Sequence, residues 1–473
     1  MEEAAEPVRW ERVPVRDYAK ESFWLETAGD SLRPRPRLAG DVSCDVAILG
    51  AGFTGLWTAY YLLRQRPGLA VTLVEAEIAG FGASGRNGGW CSAFFPWEAV
   101  QLERRFGAVA ARALMAELSQ AVDEVGRAAA AEGIDCDFRK VGALHIALGP
   151  EHRPELEAEG RRVAALPGGV GRVLDRDALA ARVRVAGALG AVFHPQCAAI
   201  HPGRLVRGLA RTVERLGGRI VERTRVEAVE AGRPPRLRTL RGTVRAPTVV
   251  VAAEAYGAGL AGLRRRLVPM TSTIVLTEPL PASVWSAIGW SGGECLSSYR
   301  HSVDYLQRTA DQRILFGGRG APYHFGSRIP AQMGRDHSTQ RMLRLQARRW
   351  FPALADARFS HGWAGVVGVP RDFMPSIRHD RAAGVVVAGG YVGDGVSTTN
   401  LFGRTVAELI LGDPSPRTHL PFVGHRSPNW EPEPLRWLGV RYVQRGLLEV
   451  DRRAGRTGRP PSGRTLAERI YRR

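Results

Sequence analysis

An α/β fold, with one lobe on a parallel sheet and a second, α+β lobe on an antiparallel sheet, follows from three patterns in the sequence. Near the start, apolar strands at Asp45 to Leu49 and Val71 to Val74 flank a glycine turn and a helical stretch, the order of a βαβ unit. Near the other end, an apolar strand at Val385 to Ala388 runs into glycines and then a second helix. Between them, Thr271 to Thr277 and Arg313 to Gly317 alternate apolar and polar residues, as strands with one covered face do. A chain of 473 residues is also too long for one compact core, so two lobes are expected.

The first unit carries a nucleotide signature. Gly50 permits a tight turn off the strand, Gly52 lets backbone approach a pyrophosphate, and Gly55 lets the helix pack closely on the sheet. Phe53 stands between the glycine turn and the helix and, with Thr54, is expected at the cofactor; the helix runs from Thr54 to about Arg66. Its unsatisfied N–H groups and positive dipole end stabilise an anion without a lysine. Glu75 lies twenty residues after Gly55, placed to accept hydrogen bonds from an adenosine ribose. Strand, turn, helix, second strand and acid agree on a dinucleotide.

A second glycine-rich loop follows, Gly80-Phe-Gly-Ala83-Ser84-Gly85-Arg86-Asn87-Gly88-Gly89-Trp90, with small residues for close approach and Ser84, Arg86 and Asn87 as donors. This loop resembles that of the D-amino-acid oxidase-like family of FAD-dependent oxidoreductases. The resemblance recurs from Cys44 to Gly412: at Val226, where backbone meets adenine in the family; at Thr248 to Ala253, with Ala252 beside the dinucleotide; at Trp363-Ala-Gly365; and at Gly389-Gly390-Tyr391-Val-Gly393-Asp394-Gly395-Val396-Ser397. It implies a glutathione-reductase-type Rossmann domain for FAD plus an antiparallel-sheet substrate domain. A helix starting near Ser397 would face the flavin's pyrimidine edge and stabilise the negative charge that collects there on reduction.

On the family's plan the FAD-binding domain is assembled from 40–98, 195–265 and 360–415, and the substrate domain from 99–194 and 266–359. Val109 to Ala131 reads as a helix. Residues 1–39 read as a polar entry segment ending in the linker-like Arg33-Pro-Arg-Pro-Arg37, and 416–473 as an arginine-rich tail.

The formal charge is +19, but 64 of the 66 basic residues are arginines spread along the whole chain, and no nucleic-acid motif accompanies them. From Glu431 onward there are 11 arginines against 5 acids, and Leu435, Leu438 and Tyr442 fall at helical spacing. Such an amphipathic helix docks on its own core or touches an anionic membrane surface; docking is the commoner use. Five scattered cysteines without CxxC spacing indicate neither a disulfide framework nor a zinc site, and the Met-Glu-Glu start lacks an apolar signal region. A cytoplasmic location is expected.

The resemblance implies oxidation of an amine or amino-acid C–N bond by hydride transfer to flavin N5, giving an imine that hydrolyses. The electron acceptor, dioxygen or another, stays open. Pocket candidates are Tyr299, Arg300, His301, Tyr305, Arg319, Tyr323, His324 and Tyr391, with Tyr305, His324 and Tyr391 taken as catalytic. Amino-acid-oxidising relatives often place a carboxylate-clamping arginine after Trp-x-Gly. Here Val366-Val367-Gly368 follows, which favours an amine and resembles the γ-glutamylputrescine oxidase branch, with Arg371 as a possible substitute. Arg86-Asn87 stands where some relatives carry a histidine bonded to flavin, so the FAD is expected to be non-covalent. A flavin monooxygenase, or a non-catalytic flavin-binding and membrane-associated protein, are the alternatives.

Overall fold

The computed structural model describes residues 16–164, 171–319, 322–330 and 337–471. Strands Val46–Leu49, Val71–Val74, Arg219–Val221, Thr248–Val251 and Val385–Gly389 form one parallel sheet, completed by the antiparallel edge strand Ser376–Asp380. Leu49 pairs with both Val74 and Val251, so the C-terminal strand ends line up along one edge, where open α/β sheets bind ligands. Helix Phe53–Gln65 leaves that edge after the Gly50 turn and packs against helix Gly395–Leu411, which leaves it after Val385–Gly389. Close contact is possible because Gly403 faces Trp57, where a Cβ would lie 2.6 Å from the Trp57 Cβ.

The second sheet has eight strands, in the order Phe359–Val369, Val268–Thr277, Ile314–Arg319, Asp304–Arg308, Cys295–Ser298, Ala143–Ala147, Gly190–His194, Arg172–Asp175. Both alternating stretches are strands here, as expected. The sheet is mixed, however: Cys295–Ser298 runs parallel to Ala143–Ala147, because the two belong to distant chain segments that no hairpin joins. Residues 226–245 add a small sheet, in which Val226–Glu230, Arg236–Thr239 and Gly242–Arg245 meet Val42–Ser43. The helix read as Val109 to Ala131 spans Ala108–Ala131.

Two expectations change. Residues 16–39 are not a polar approach to the body: Phe23, Trp24 and Leu25 are buried, and Arg35, in the presumed linker, pairs with Glu214 (2.6 Å) and with the fully buried Glu222 (2.9 Å). Glu222 needs that cation, since an unpaired buried carboxylate is costly. Residues 1–15 lie outside the described residues. The tail does form a helix, Leu435–Thr457, but Leu435, Leu438 and Tyr442 are on its outer side, 61%, 53% and 50% exposed. The helix docks through Val440, Leu447 and Ala454, assisted by Arg436, whose guanidinium is bound by Glu433. Among the described residues no helix is long and apolar enough to cross a membrane.

Candidate active site

The Gly50 turn has the geometry its residues require. Gly50 has φ +101°, and a Cβ there would meet the Ala252 carbonyl oxygen at 2.8 Å, so Ala252 walls the turn with backbone. At Gly55 a Cβ would lie 2.1 Å from the Gly50 oxygen. At Gly52 the nearest atom would be Ser84 Oγ, 3.0 Å away. Ser84 Oγ accepts from the Phe53 amide (2.8 Å), which joins the second glycine loop to the helix N-terminus. Glu75, half-buried at the end of its strand, accepts from the amides of Ala51 (2.9 Å) and Glu77 (3.0 Å). Burial pushes its carboxyl up to about 7 despite those bonds. Val226 is buried beyond Glu75, and the Thr224 amide between them donates to the Glu75 carbonyl (2.9 Å).

The second loop is held on three sides. Ser22 Oγ donates to the Gly85 carbonyl (2.6 Å), Trp24 Nε1 to that of Asn87 (2.7 Å), and Trp363 Nε1 to that of Arg86 (2.9 Å). The Asn87 amide group folds back onto the Ala83 and Ser84 carbonyls (3.2 and 3.1 Å) while its oxygen accepts from Gly89. Arg86 was expected to offer donors to the cofactor. Its guanidinium is instead buried, over the Phe81 ring and bonded to the Phe81 carbonyl (2.8 Å) and Glu21 (2.7 Å). These are anchoring bonds, and the partner Glu21 lies in the entry segment whose packing the sequence did not announce.

Above this loop lies one face of the eight-stranded sheet. Register places Met270 opposite Val367, and Ser272 opposite both Gly365 and Arg319, while Tyr305 lies opposite Gly317, so these side chains share a face. That face looks onto the glycine loop: a Cβ on Gly88 would lie 2.5 Å from the Tyr305 ring, and one on Gly365 would lie 3.4 Å from the Arg86 Cβ. Tyr305 donates to or accepts from Ser272 Oγ at 2.9 Å, and burial raises its hydroxyl to about 12, so it stays protonated at neutral pH. Arg319 donates to the Val392 carbonyl (3.0 Å) and lies near the half-buried Asp394, whose carboxyl is pushed up to about 6 by burial and pulled back by the Arg319 charge, without a contact close enough for an ion pair. Ser272 and Met270 were missed; their even spacing in the alternating strand was the available signal.

The other two catalytic candidates lie elsewhere. Tyr391 is 4% exposed in the core beneath the cofactor edge, its hydroxyl on Thr54 Oγ1 (2.9 Å) and its ring against Phe402, and burial raises its pKa. It ties the first helix to the late glycine block. His324 sits half-buried beside the tail helix, its pKa lowered by burial and by Arg328 and Arg441. Tyr323 is buried there with its hydroxyl on Glu433 (3.0 Å). Tyr299 stacks on His145 and contacts Glu159, far along the same sheet; His301 pairs with Asp451 of the tail (3.2 Å). Arg371 does not substitute for the missing clamp: it is paired with Glu431 (3.1 Å) and stacked over Trp430.

The late glycine block completes the edge. Gly390 has φ +86° and Gly393 φ +115°, and no atom lies within 4 Å of a Cβ built on Gly393. The helix begins at Gly395 with Asp394 as its N-cap, two residues before the expected start, so Val396 and Ser397 belong to its first turn. Ser397 donates to the Ser92 carbonyl, a bond that holds the helix start in place. A glycine turn with helix amides, the Glu75 carboxylate after the second strand, a small-residue loop and a second helix N-terminus stand along one sheet edge. That donor set fits FAD.

The family model described as FAD dependent oxidoreductase, DAO, matches residues 45–409. The chain belongs to this family. It is 29% identical over 415 residues to the gamma-glutamylputrescine oxidoreductase of Escherichia coli K12, covering 86% of this chain and 94% of that protein. To the probable oxidoreductase OrdL of Rhizobium meliloti it is 32% identical over 396 residues, covering 82% and 88%. Among solved structures, glycine oxidase from Geobacillus kaustophilus superposes with a TM-score of 0.65 at 23% identity, covering 82% of this chain and all of that one. As a DAO-family protein this chain is an FAD-dependent oxidoreductase, with the family's two-part α/β fold.

Proposed function

We propose that this DAO-family enzyme oxidises a primary or secondary amine that carries a carbonyl or carboxylate group, holding FAD non-covalently. The FAD held here would supply the two-electron acceptor for the hydride of the amine-bearing carbon, so that the oxidised product would be an imine, hydrolysed by water. The chain's own residues bind, orient and exclude water. Glu75 holds the adenosine ribose, with Val226 and Ala252 enclosing that half of the site. Gly50, Gly52, Phe53, Thr54 and Gly55 present the pyrophosphate with backbone. Ala83, Ser84, Gly88 and Gly89, shaped by Asn87 and anchored by Arg86, bring the loop close to the rest of the dinucleotide. Gly390, Gly393, Gly395, Val396 and Ser397 aim the second helix at the same molecule.

The observation that carries the substrate reading is Arg319. It is the guanidinium on the sheet face above the loop, and it has donors to spare beyond its bond to Val392. An acceptor group of the substrate bound there would be fixed by a charge-assisted hydrogen bond. Protonated Tyr305, beside Ser272, serves as a second positioning donor. Resemblance to an oxidoreductase named for γ-glutamylputrescine, an amine with an amide and a carboxylate, supports this choice.

An anaerobic screen of amines and amino acids for flavin bleaching tests the function. Amines with a nearby acyl or carboxyl group are expected to bleach fastest; bleaching by NADPH alone would point to a monooxygenase. Acid precipitation is expected to release the yellow colour into the supernatant, as non-covalent FAD requires. Glu75 provides a pH test. With its carboxyl at about 7 before the cofactor binds, and ionised when it accepts from the ribose, binding releases a proton below that pH. The FAD dissociation constant is therefore expected to rise as pH falls from 8 to 6, by up to about tenfold per pH unit well below 7. Glu75→Gln should bind more weakly at pH 8 and lose the slope; an unaltered slope would remove Glu75 from this role.

A further inference from the structure

A chamber of about 330 Å³ opens on the same face of the sheet as Tyr305 and Ser272, and the chain's own tail makes its outer wall. Its inner wall is the sheet. Val268, Met270 and Ser272 are alternate residues of one strand, so they share a face, and Met270 lies about 7 Å along from Ser272 at ~3.4 Å per residue. Arg319, opposite Ser272, lines the chamber as well, so its guanidinium stands where the chamber meets the site over the glycine loop. The outer wall is helix Leu435–Thr457, through Val440, Val443 and Leu447, with Ile470 and Tyr471 of the last helix. Tyr471 meets Phe373 edge-on, ring centroids 5.5 Å apart. All of this tail lies beyond the segment matched by the family model.

The charges of the lining decide what the chamber accepts. Arg371 is paired with Glu431, Arg436 with Glu433 and His301 with Asp451. Arg319 alone among the charged lining groups has no direct ion pair among the described residues; its nearest acidic influence is the half-buried Asp394, felt at longer range. The cavity therefore presents apolar wall with one open cation at its inner end, the complement of an amphiphile. Its volume has room for about ten water-sized groups at ~30 Å³ each.

We propose that the chamber is a specificity pocket, built by the tail, for an aliphatic or arylalkyl substituent of the substrate, whose acceptor group meets Arg319. The proposal rests on the amine-oxidation reading for the identity of the reacting group, and on the sheet face alone for the pocket. Gly439 offers a direct probe. It is exposed at the rim of the chamber on the tail helix, next to the inward Val440, and a Cβ built there meets nothing within 4 Å. A larger side chain is therefore accommodated at the mouth, where a phenylalanine ring can narrow the opening.

The experiment uses the FAD-loaded full-length protein and the straight-chain carboxylates from acetate to octanoate, which cannot be oxidised at an amine, with dissociation constants read by calorimetry. Binding is expected to tighten by up to about fourfold per methylene. In Gly439→Phe the gradient should flatten, and in Gly439→Ala it should persist, while both variants keep wild-type melting temperature and FAD content. A flat series in the wild-type protein, or a gradient that Gly439→Phe leaves intact, overturns the pocket. The amine series from ethylamine to octylamine, followed by anaerobic bleaching, separates the two readings. If no amine bleaches the flavin while the carboxylate gradient stands, amine oxidation falls and the pocket survives.

Discussion

Gly55→Ala is expected to lose most of its FAD, measured as flavin absorbance per polypeptide after purification without added cofactor. The single added methyl carbon would stand 2.1 Å from the Gly50 carbonyl oxygen and 3.2 Å from Ile48 Cγ2. Neither neighbour can yield cheaply. Gly50 is itself pressed against the Ala252 carbonyl, and Ile48 is fully buried in a strand paired on both sides. The helix must therefore slide away from the turn, which carries the Phe53 and Thr54 amides off the pyrophosphate position. Overpacking of this kind costs ~1–3 kcal/mol in stability. The larger effect is on binding, because misplaced donors leave the phosphates poorly paired. Gly259→Ala is the control: a Cβ there meets nothing within 4 Å, and full FAD content is expected. Wild-type flavin content in Gly55→Ala would show that the turn does not hold the cofactor as proposed.

Arg319→Gln is expected to retain FAD and lose about ten- to a hundredfold in kcat/KM with amines that bear a carboxylate or carbonyl, the range of one charge-assisted hydrogen bond of ~1.5–3 kcal/mol. The rationale is local. On the face above the glycine loop the guanidinium has one backbone acceptor, Val392, and only a longer-range interaction with the Asp394 carboxylate, so it keeps donors for an anionic or acyl substrate group. Arg319→Lys should recover part of the loss, since it keeps the charge without the planar fork. The informative control is an amine of the same length lacking the acceptor group. Wild-type enzyme should discriminate between the two substrates and Arg319→Gln should not. An equal loss on both would mean that Arg319 acts by holding Val392 and the glycine block, not by touching substrate.

How legible each part was depended on the range of the interactions behind it. The cofactor half depends on short, contiguous patterns: Gly50 to Gly55, Gly80 to Trp90 and Gly389 to Ser397. There a residue's role follows from its own backbone freedom and its immediate neighbours. The proposed substrate half depends on register. Tyr305, Ser272, Arg319 and Met270 come from three strands, and what unites them is which way each points once the strands are paired, so a shift of one residue would turn any of them away. Tyr391 lay inside the most recognisable motif of the chain and still proved to be a core tie to Thr54. His324, polar and well placed in sequence, belongs beside the tail. The outer stripe Leu435, Leu438 and Tyr442 fits helical spacing equally well, but spacing identifies a stripe without saying which one meets the body.

The amino-acid sequence by itself determined the family, the α/β class, the dinucleotide turn and the absence of an arginine after Trp-x-Gly, because glycine placement and strand apolarity are local constraints that hold wherever the segment lies. Only the tertiary structure decided that Arg86 is an anchor, that Arg319 faces the loop side of the sheet without a direct ion pair, and that the arginine-rich tail closes a chamber on the eight-stranded sheet. Those facts turn on which distant charges are already paired. Arg371 and Arg319 look alike along the chain, and the difference between them is Glu431, which folding brings beside one and not the other.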